Sequence, residues 1–154
     1  MRVVFFGASG FGLRCLKKIG ELSGLAVCGV VTAEKQFAIS YNPNGVTNLL
    51  HADFHEYAEQ NAIPCHLFDR DAPLAKLIKK ISAWNPDIIV VVGWYHMIPA
   101  AIRTMAPVLG LHASLLPRYR GGAPLVWAII NGETQTGITL FRLSDGVDDG
   151  DILG

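Results

Sequence analysis

The sequence predicts an α/β domain with a mostly parallel sheet and helices on both of its faces. Continuous apolar runs recur along the chain, as expected for strands that are buried on both sides. Segments with apolar residues at helical spacing alternate with these runs. Residues 7–12 form a glycine-rich turn between the first apolar run and the first helical segment, which is how a strand–helix–strand unit opens.

The predicted strands are short and rich in β-branched residues. Residues 3–6 read Val-Val-Phe-Phe, and residues 87–92, the strongest strand, carry an uninterrupted apolar run after a Pro-Asp start. Residues 137–143 alternate apolar and polar side chains, which is typical of a strand with one solvated face. In chain order the predicted strands cover residues 3–6, 25–32, 63–67, 87–92, 108–111 and 137–143.

The predicted helices fill the intervals between these strands. The clearest one carries Leu74, Leu77 and Ile81 on a single stripe, and its lysines lie on the other side. Residues 33–50 have no apolar period and contain the turn cluster Asn42-Pro43-Asn44-Gly45, so we expect a mobile loop over the ligand side of the sheet. The predicted helices cover residues 13–22, 51–61, 73–84, 99–105 and 122–130.

Composition limits the classes of function. The chain has 154 residues, of which 51% are hydrophobic and 17% are charged, which suits one compact domain. A formal net charge of +0 provides no broad basic surface for a nucleic-acid backbone. Three widely spaced cysteines argue against a disulfide framework and favour the cytosol. No apolar stretch is long enough for a signal peptide or a membrane span.

Residues 110–124 are the stretch that points to chemistry. A short apolar run delivers His112, a turn of small residues and proline follows, and then Arg118 and Arg120 lie beside a glycine pair. This is the pattern of a strand end that carries a reactive side chain into the crevice where open α/β sheets bind ligands. A lone, half-buried structural histidine is the alternative interpretation.

Residues 145–151 form a turn crowded with carboxylates at the end of the next strand. A carboxylate near an imidazole fixes its orientation and favours its charged form, so a His–Asp pair is the functional interpretation. Such a pair stabilises a developing oxyanion and moves a proton. Ordinary turn residues are the structural alternative.

Residues 93–99, Gly-Trp-Tyr-His-Met-Ile-Pro, leave the strongest strand and are rich in aromatic groups and sulfur. At a strand end such a loop lines a pocket for a flat heterocycle, or it simply covers the sheet. Two weaker motifs favour structural interpretations. The spacing of residues 7–12 is GxxGxG, which differs from the dinucleotide fingerprint. His51 and His55 share a helical face but lack a third metal ligand.

An ordered set of short motifs runs through the C-terminal half of the chain. It comprises His112-Ala-Ser-Leu-Leu-Pro, Arg120-Gly, Ala123-Pro124, Asn131-Gly132, Thr136-Gly137 and Asp145-x-x-Asp148-x-Gly150-Asp151. This set resembles the formyltransferases that use 10-formyltetrahydrofolate, a family that includes glycinamide ribonucleotide, methionyl-tRNA and sugar-nucleotide enzymes. The resemblance implies a Rossmann-like sheet. It is specific over residues 87–153, whereas the N-terminal half matches in outline.

The resemblance implies roles for the matching residues. His112 falls on the catalytic histidine of the family and Asp148 on its catalytic aspartate. An amine attacks the formyl carbon, protonated His112 donates to the carbonyl oxygen, and Asp148 supports that charge. Ser114 and Arg120 lie in the motif without an assigned role. Two segments fall on those that enclose the pteridine, with these predicted contacts: Trp94, Tyr95, Met97, Ile98, Ser144, Asp145, Gly146 and Val147.

The sequence departs from the family pattern in two respects. The family motif is Asn-x-His, but Gly110 stands at the asparagine position. The resemblance implies that this asparagine donates a hydrogen bond to the oxyanion. Because losing one such donor typically costs about 3–4 kcal/mol, restoring asparagine at position 110 is expected to raise the rate if Gly110 is a handicap. The family's catalytic domain also continues beyond the acidic turn, whereas this chain stops at Gly154. We therefore expect residues 1–154 to be a single catalytic domain that is incomplete at its C-terminal end.

The expected acceptor is a small primary amine, above all the amino sugar of a nucleotide-sugar, because residues 123–140 look most like the sugar-nucleotide enzymes. A methionyl-tRNA-type acceptor is the alternative. No metal ion or membrane is expected as a partner, and a homodimer stays open. Two rival functions are a folate-binding module with weak or no transfer and a nicotinamide-dependent oxidoreductase. Against the oxidoreductase, none of the tyrosines in the sequence is followed by lysine at the Tyr-x-x-x-Lys spacing of short-chain enzymes.

Overall fold

The computed structural model describes residues 1–39 and 42–154. Its helices and strands follow the predicted alternation, with one additional pair of strands. The strands of this part of the chain are β1 (Arg2–Phe6), β2 (Ala26–Ala33), β3 (Gln36–Ile39), β4 (Asn42–Thr47), β5 (Cys65–Phe68), β6 (Ile88–Val92), β7 (Val108–His112) and β8 (Thr139–Arg142). Its helices are α1 (Gly10–Glu21), α2 (His55–Gln60), α3 (Leu74–Trp84), α4 (Ala100–Arg103) and α5 (Pro124–Ile130).

The main sheet has six strands in the order β5-β2-β1-β6-β7-β8. Every neighbouring pair from β5 to β7 is parallel, and only β8 runs antiparallel to its neighbour β7. The predicted mostly parallel sheet is therefore confirmed. Because the parallel strands all end at the same edge, the loops that follow them converge there.

Helices cover both faces of this sheet, and the central strands are buried between them. Alternate residues of β1 point to opposite faces. Val4 and Phe6 enter the apolar cluster formed with α3 and α4, whereas Phe5 packs with Leu16 of α1. Full burial of such a side chain contributes about 1.5–3 kcal/mol. The apolar runs of the sequence thus reflect burial on two sides.

The glycine turn after β1 is required by close packing. Gly12 lies against β6, and a Cβ atom on it would come within 2.5 Å of the Val92 carbonyl oxygen. The Ser9 hydroxyl caps α1 by accepting a hydrogen bond from the Gly12 N–H at 3.2 Å. These contacts account for the residue types in the turn as those of a tight strand-to-helix connection.

The predicted loop over residues 33–50 is wrong, since β3 and β4 pair there as an antiparallel two-stranded sheet. The turn cluster Asn42-Pro43-Asn44-Gly45 lies within β4, and the connection between the strands, residues 40–41, is outside the described residues. Pro and Gly disfavour strands locally. The pairing of the two segments with each other overrides that preference, which single-strand patterns do not reveal.

The helix predicted over residues 51–61 begins only at His55. The preceding residues are extended because they pair with the glycine turn: Gly10 N–H donates to the Leu50 carbonyl, and Ala52 N–H donates to the Ala8 carbonyl. His51 Nε2 contacts the Ala33 carbonyl oxygen, so its ring is not directed to the same place as that of His55. None of the helices within residues 1–39 and 42–154 has the length and apolarity to cross a membrane.

Candidate active site

His112 is the last residue of β7, and its side chain is almost fully buried at the edge of the sheet where the parallel strands end. Its Nε2 atom lies 2.7 Å from the backbone carbonyl oxygen of Tyr119. Its Nδ1 atom lies 3.3 Å from the Asp148 Oδ2 atom. Both ring nitrogens therefore face oxygen atoms of the protein.

The two oxygen atoms beside the His112 ring are hydrogen-bond acceptors. A backbone carbonyl only accepts hydrogen bonds, and so does an ionised carboxylate. The imidazolium form alone donates to both the Tyr119 carbonyl and the Asp148 carboxylate. In that form the ring is a cation beside one carboxylate, and such a group can stabilise negative charge that develops on a substrate.

Asp148 reaches His112 because the loop after β8 turns back along the sheet. The sequence analysis placed the acidic turn at the end of the next strand, but β8 is antiparallel and ends beside the start of β7. The returning loop is held by a hydrogen bond of 2.8 Å from the Gly121 N–H to Asp148 Oδ2. The Asp148 backbone is left-handed, with φ 47°. Such a conformation costs of order 1–3 kcal/mol and persists where the surroundings hold it.

A cavity of about 310 Å³ opens beside the His112–Asp148 pair, and both residues line it. Trp94 contributes an aromatic wall, and its ring is fixed edge-on against Phe6 and Phe68 at centroid distances of 5.3 and 5.4 Å. The structure thus brings together the two segments that the resemblance assigns to the donor. All of the predicted contacts except Asp145 line the cavity: Trp94, Tyr95, Met97, Ile98, Ser144, Gly146 and Val147.

Arg103, which the sequence analysis did not single out, connects these two segments. Its Nε–H donates to the Ile98 carbonyl oxygen at 3.1 Å, and its guanidinium group also pairs with the Asp145 carboxylate. The Arg103 side chain is mostly buried, whereas that of Asp145 is 92% exposed. Asp145 therefore does not line the cavity but pairs with Arg103, which is bonded to Ile98 in the other cavity wall. An arginine at the end of a short helix carries no sequence signal for this role.

A second network fixes the loop between β7 and α5. The fully buried Ser114 hydroxyl donates to the Arg118 carbonyl at 2.6 Å, and the Thr139 hydroxyl donates to the Ser114 carbonyl at 2.7 Å. Tyr119 lies in the left-handed region at φ 57°. The predicted motif residue Ser114 is thus a structural anchor of the loop, and Arg120 is exposed at its surface.

The sequence model described as "Formyl transferase" matches residues 1–154. The chain belongs to this family. It is 38% identical to a methionyl-tRNA formyltransferase of Clostridioides difficile and 38% identical to one of Citrifermentans bemidjiense, over 99% of its length in each case. The resemblance read from the motifs is therefore confirmed at the level of the formyl transferase family.

Solved structures of formyl transferases share the fold. Glycinamide ribonucleotide transformylase 1 from Symbiobacterium toebii aligns over 100% of this chain and 71% of its own, with a TM-score of 0.76 and 21% identity. Phosphoribosylglycinamide formyltransferase from Bacillus halodurans aligns with a TM-score of 0.75 and 18% identity, over 100% of this chain and 77% of its own. The chain spans 48% and 46% of the two curated relatives named above, about half of their length.

Gly110, the departure from the Asn-x-His motif of the formyl transferases, lies on the same face of β7 as His112 and lines the cavity. A Cβ atom at this position would lie 2.6 Å from Leu143 Cδ1 and 2.9 Å from Phe141 Cε1. Two apolar side chains from β8 and its end therefore occupy the space that an asparagine would enter. The absence of a side chain at position 110 is compensated by packing.

The remaining polar groups of the cavity favour their neutral forms. Burial raises the pKa of Tyr95, and its hydroxyl donates to the Asn48 Oδ1 atom at 3.3 Å. Burial, and then the nearby Arg70 guanidinium, lower the pKa of His96. His96 also lines a neighbouring cavity of about 510 Å³, so the two cavities adjoin. Within the described residues no group of three or more His, Cys, Asp or Glu side chains is placed to hold a metal ion.

Proposed function

We propose that this chain transfers a formyl group from 10-formyltetrahydrofolate to a primary amine. The observation that carries the proposal is the pair formed by buried His112 and half-buried Asp148 beside an aromatic-lined cavity, in a chain of the formyl transferase family. In this proposal residues 1–154 act as one catalytic domain, which is supported by the single main sheet on which all the site residues are mounted.

The dimensions and chemistry of the cavity fit the pterin of such a donor. Ligand pockets have volumes of roughly 300–1,000 Å³ and combine apolar walls with a few polar groups. Here Trp94 and Ile98 form one side, and Val147 and Gly146 form the other. The adjoining cavity beyond His96 offers room for the remainder of a donor that is longer than its ring. When bound, the donor supplies the reactive formyl carbon.

His112 and Asp148 then perform the proton and charge work. The positive charge of the His112 imidazolium, whose two N–H groups are held by Tyr119 and Asp148, stabilises the negative charge that develops on the formyl oxygen during attack by the amine. Asp148 holds the ring through Nδ1 and balances its positive charge. A carboxylate so close to the reacting atoms also accepts the proton that the attacking amine must lose, directly or through water. The bond between the formyl carbon and N10 of the donor then breaks, and this proton passes to N10 as tetrahydrofolate leaves. Neither residue has to form a covalent bond.

The similar proteins bear on which amine acts as the acceptor. Both relatives named above are methionyl-tRNA formyltransferases, which favours the amino group of methionyl-tRNA. The pattern of residues 123–140 favours instead an amino sugar of a nucleotide-sugar, because it resembles that of the sugar-nucleotide enzymes. The two acceptors share a primary amine, and the same donor and site residues serve both.

A direct assay tests the proposal. Purified protein is mixed with 10-formyltetrahydrofolate and either methionyl-tRNA or a nucleotide-linked amino sugar, and the release of tetrahydrofolate is followed. We expect release with one acceptor, its loss in His112→Ala, and wild-type rates in His55→Ala, which removes an exposed histidine on α2. Donor binding without release would favour the folate-binding module, and release that survives His112→Ala would refute the assigned role.

A further inference from the structure

The buried Nε2–H of His112 points to a backbone atom, the carbonyl oxygen of Tyr119, 2.7 Å away. We propose that Glu133 is a positioning residue for His112 and that it acts through Tyr119. Its catalytic consequence rests on the proposed formyl transfer, but the contact itself does not. Glu133 lies beyond α5, outside the segments that line the cavity.

Tyr119 is held through both its backbone and its side chain. Its backbone is left-handed, at φ 57°, a conformation that a residue with a side chain adopts only when its surroundings stabilise it. The phenol hydroxyl donates to the Glu133 Oε1 atom at 2.5 Å. The same carboxylate oxygen also accepts a hydrogen bond from Arg118, and that guanidinium lies over the Tyr119 ring, 5.4 Å from its centroid.

Glu133 is itself fixed in position. Its N–H donates to the Ala128 carbonyl at 3.0 Å, directly after the left-handed Gly132 that ends the helical segment. Its side chain is only 21% exposed, whereas that of Arg118 is 58% exposed. The carboxylate is therefore a fixed point on the rigid end of α5, and the exposed arginine is the more adjustable partner.

Tyr119 lies between two backbone groups that are held by hydrogen bonds. The Arg118 carbonyl is held by the buried Ser114 hydroxyl, and the Gly121 N–H is held by Asp148. Tyr119 itself, whose carbonyl oxygen faces His112, is held through its side chain by Glu133. Removing that hydrogen bond frees the strained peptide to rotate, and the acceptor for the His112 Nε2–H then moves away.

The consequence for His112 follows from its two hydrogen bonds. The Tyr119 carbonyl contacts Nε2 of the ring and the Asp148 carboxylate contacts Nδ1. When one of these two contacts is lost, the ring can tilt about the other. A tilted imidazolium no longer holds its positive charge at a constant position beside the reacting atoms. Chemistry would slow, whereas binding of a donor on the walls formed by residues 94–98 and 144–147 would change little.

The experiment compares Tyr119→Phe, Glu133→Ala and Glu133→Gln, with Tyr57→Phe and Glu56→Ala on α2 as matched controls. The readout is exchange of the His112 imidazole N–H with water in ¹⁵N-labelled protein, which requires no turnover. We expect exchange to accelerate about tenfold in Tyr119→Phe and Glu133→Ala, as for the loss of one net hydrogen bond. Glu133→Gln, whose amide oxygen still accepts from the phenol, and both controls should stay near wild type.

Two further measurements complete the test. The hydrogen bond to Glu133 raises the pKa of Tyr119, so Glu133→Ala should lower this pKa toward its usual value if the contact exists in solution. In the transfer assay kcat should fall about tenfold in the two disruptive variants with KM for the donor within about twofold of wild type. Unchanged N–H exchange in folded Tyr119→Phe and Glu133→Ala would overturn the inference. Altered exchange in a protein without transfer activity would support the contact and refute the proposed function.

Discussion

Asp148 Oδ2 lies 3.3 Å from His112 Nδ1, although His112 ends β7 and Asp148 lies in the loop after β8, which runs in the opposite direction. We expect Asp148→Asn to reduce kcat/KM by about 10²–10³-fold, because an amide cannot balance the charge of the imidazolium. Asparagine tolerates the left-handed backbone at this position and still accepts from Gly121, so the fold should be kept. Steady-state kinetics and thermal unfolding measure the two effects.

The matched control for that prediction is Asp53→Asn. Asp53 also lies near a histidine, with Oδ1 3.4 Å from His55 Nδ1, but both side chains are largely exposed. Surface pairs of this kind contribute about 0–1 kcal/mol and are remote from the cavity. Its kcat/KM should equal that of wild type, and equal losses in the two variants would contradict the role of Asp148.

Gly110→Asn alone should destabilise the protein rather than raise its rate. The new side chain would meet Leu143 and Phe141, and overpacking of this kind typically costs about 1–3 kcal/mol. Combining Gly110→Asn with Leu143→Ala opens the space, so the double variant should recover part of the stability and is where a faster rate is expected. Urea denaturation and the transfer assay measure both outcomes.

The control for that prediction is Gly10→Asn, where a Cβ atom would approach nothing closer than the Leu50 carbonyl oxygen at 4.0 Å. It should leave the free energy of unfolding nearly unchanged. If Gly110→Asn is as stable as this control, then Leu143 and Phe141 move without cost and the packing explanation of Gly110 is wrong.

Arg103→Ala should raise KM for the donor about five- to tenfold and leave kcat nearly unchanged. The variant loses a hydrogen bond to the Ile98 carbonyl and the pairing with Asp145, which together hold the two cavity walls at a constant separation. His112 is not touched by the change. Lys79→Ala, on the exposed side of α3, is the control. A loss of kcat at constant KM would indicate that Arg103 acts on the chemistry instead.

Cys65 should react slowly with alkylating reagents. Burial, and then the nearby Asp53 carboxylate, raise the pKa of its thiol from 9.0 to about 11. Since only the thiolate reacts, alkylation at pH 8 should be about a hundredfold slower in the folded protein than in urea. Peptide mass spectrometry identifies the cysteine. Equal rates for Cys65 in the folded and unfolded protein would contradict its partial burial in β5.

Acidification should weaken the fold through His66. Burial, and then Lys80, lower the pKa of this histidine in the folded protein, so the native state favours the neutral ring. The stability from this preference is present above the ordinary histidine pKa of 6.5 and is lost as the pH falls through the lower native pKa. Urea unfolding at pH 7.5 and 5.5 should show a smaller decrease for His66→Gln than for His55→Gln, which removes an exposed histidine.

The parallel part of the sheet could be predicted because its strands are buried on both faces. Val3 to Phe6 and Ile88 to Val92 read as apolar runs for that reason, and their helices carry matching stripes. The pair β3 and β4 could not be predicted in this way. Its strands pair with each other instead of joining the main sheet, and residues 33–50 show no apolar period in the sequence.

The site divides along the same line. His112 and Asp148 were predicted from their motifs, and the structure brings them together. Arg103 and Glu133 were missed because each acts by contacting a backbone carbonyl or another side chain, and such contacts have no fixed spacing in sequence. The space beside Gly110 is filled by Leu143 and Phe141, which lie beyond the next helix in sequence.

The amino-acid sequence by itself determined which residues are buried, which segments alternate as strand and helix, and which groups are available for chemistry. The tertiary structure decided that β8 runs antiparallel, that the loop after it returns to His112, and that Tyr119 and Glu133 belong to the same site. The reason is physical. Local pattern records the solvent exposure of each residue, whereas the pairing of distant backbones depends on how all the elements pack at once.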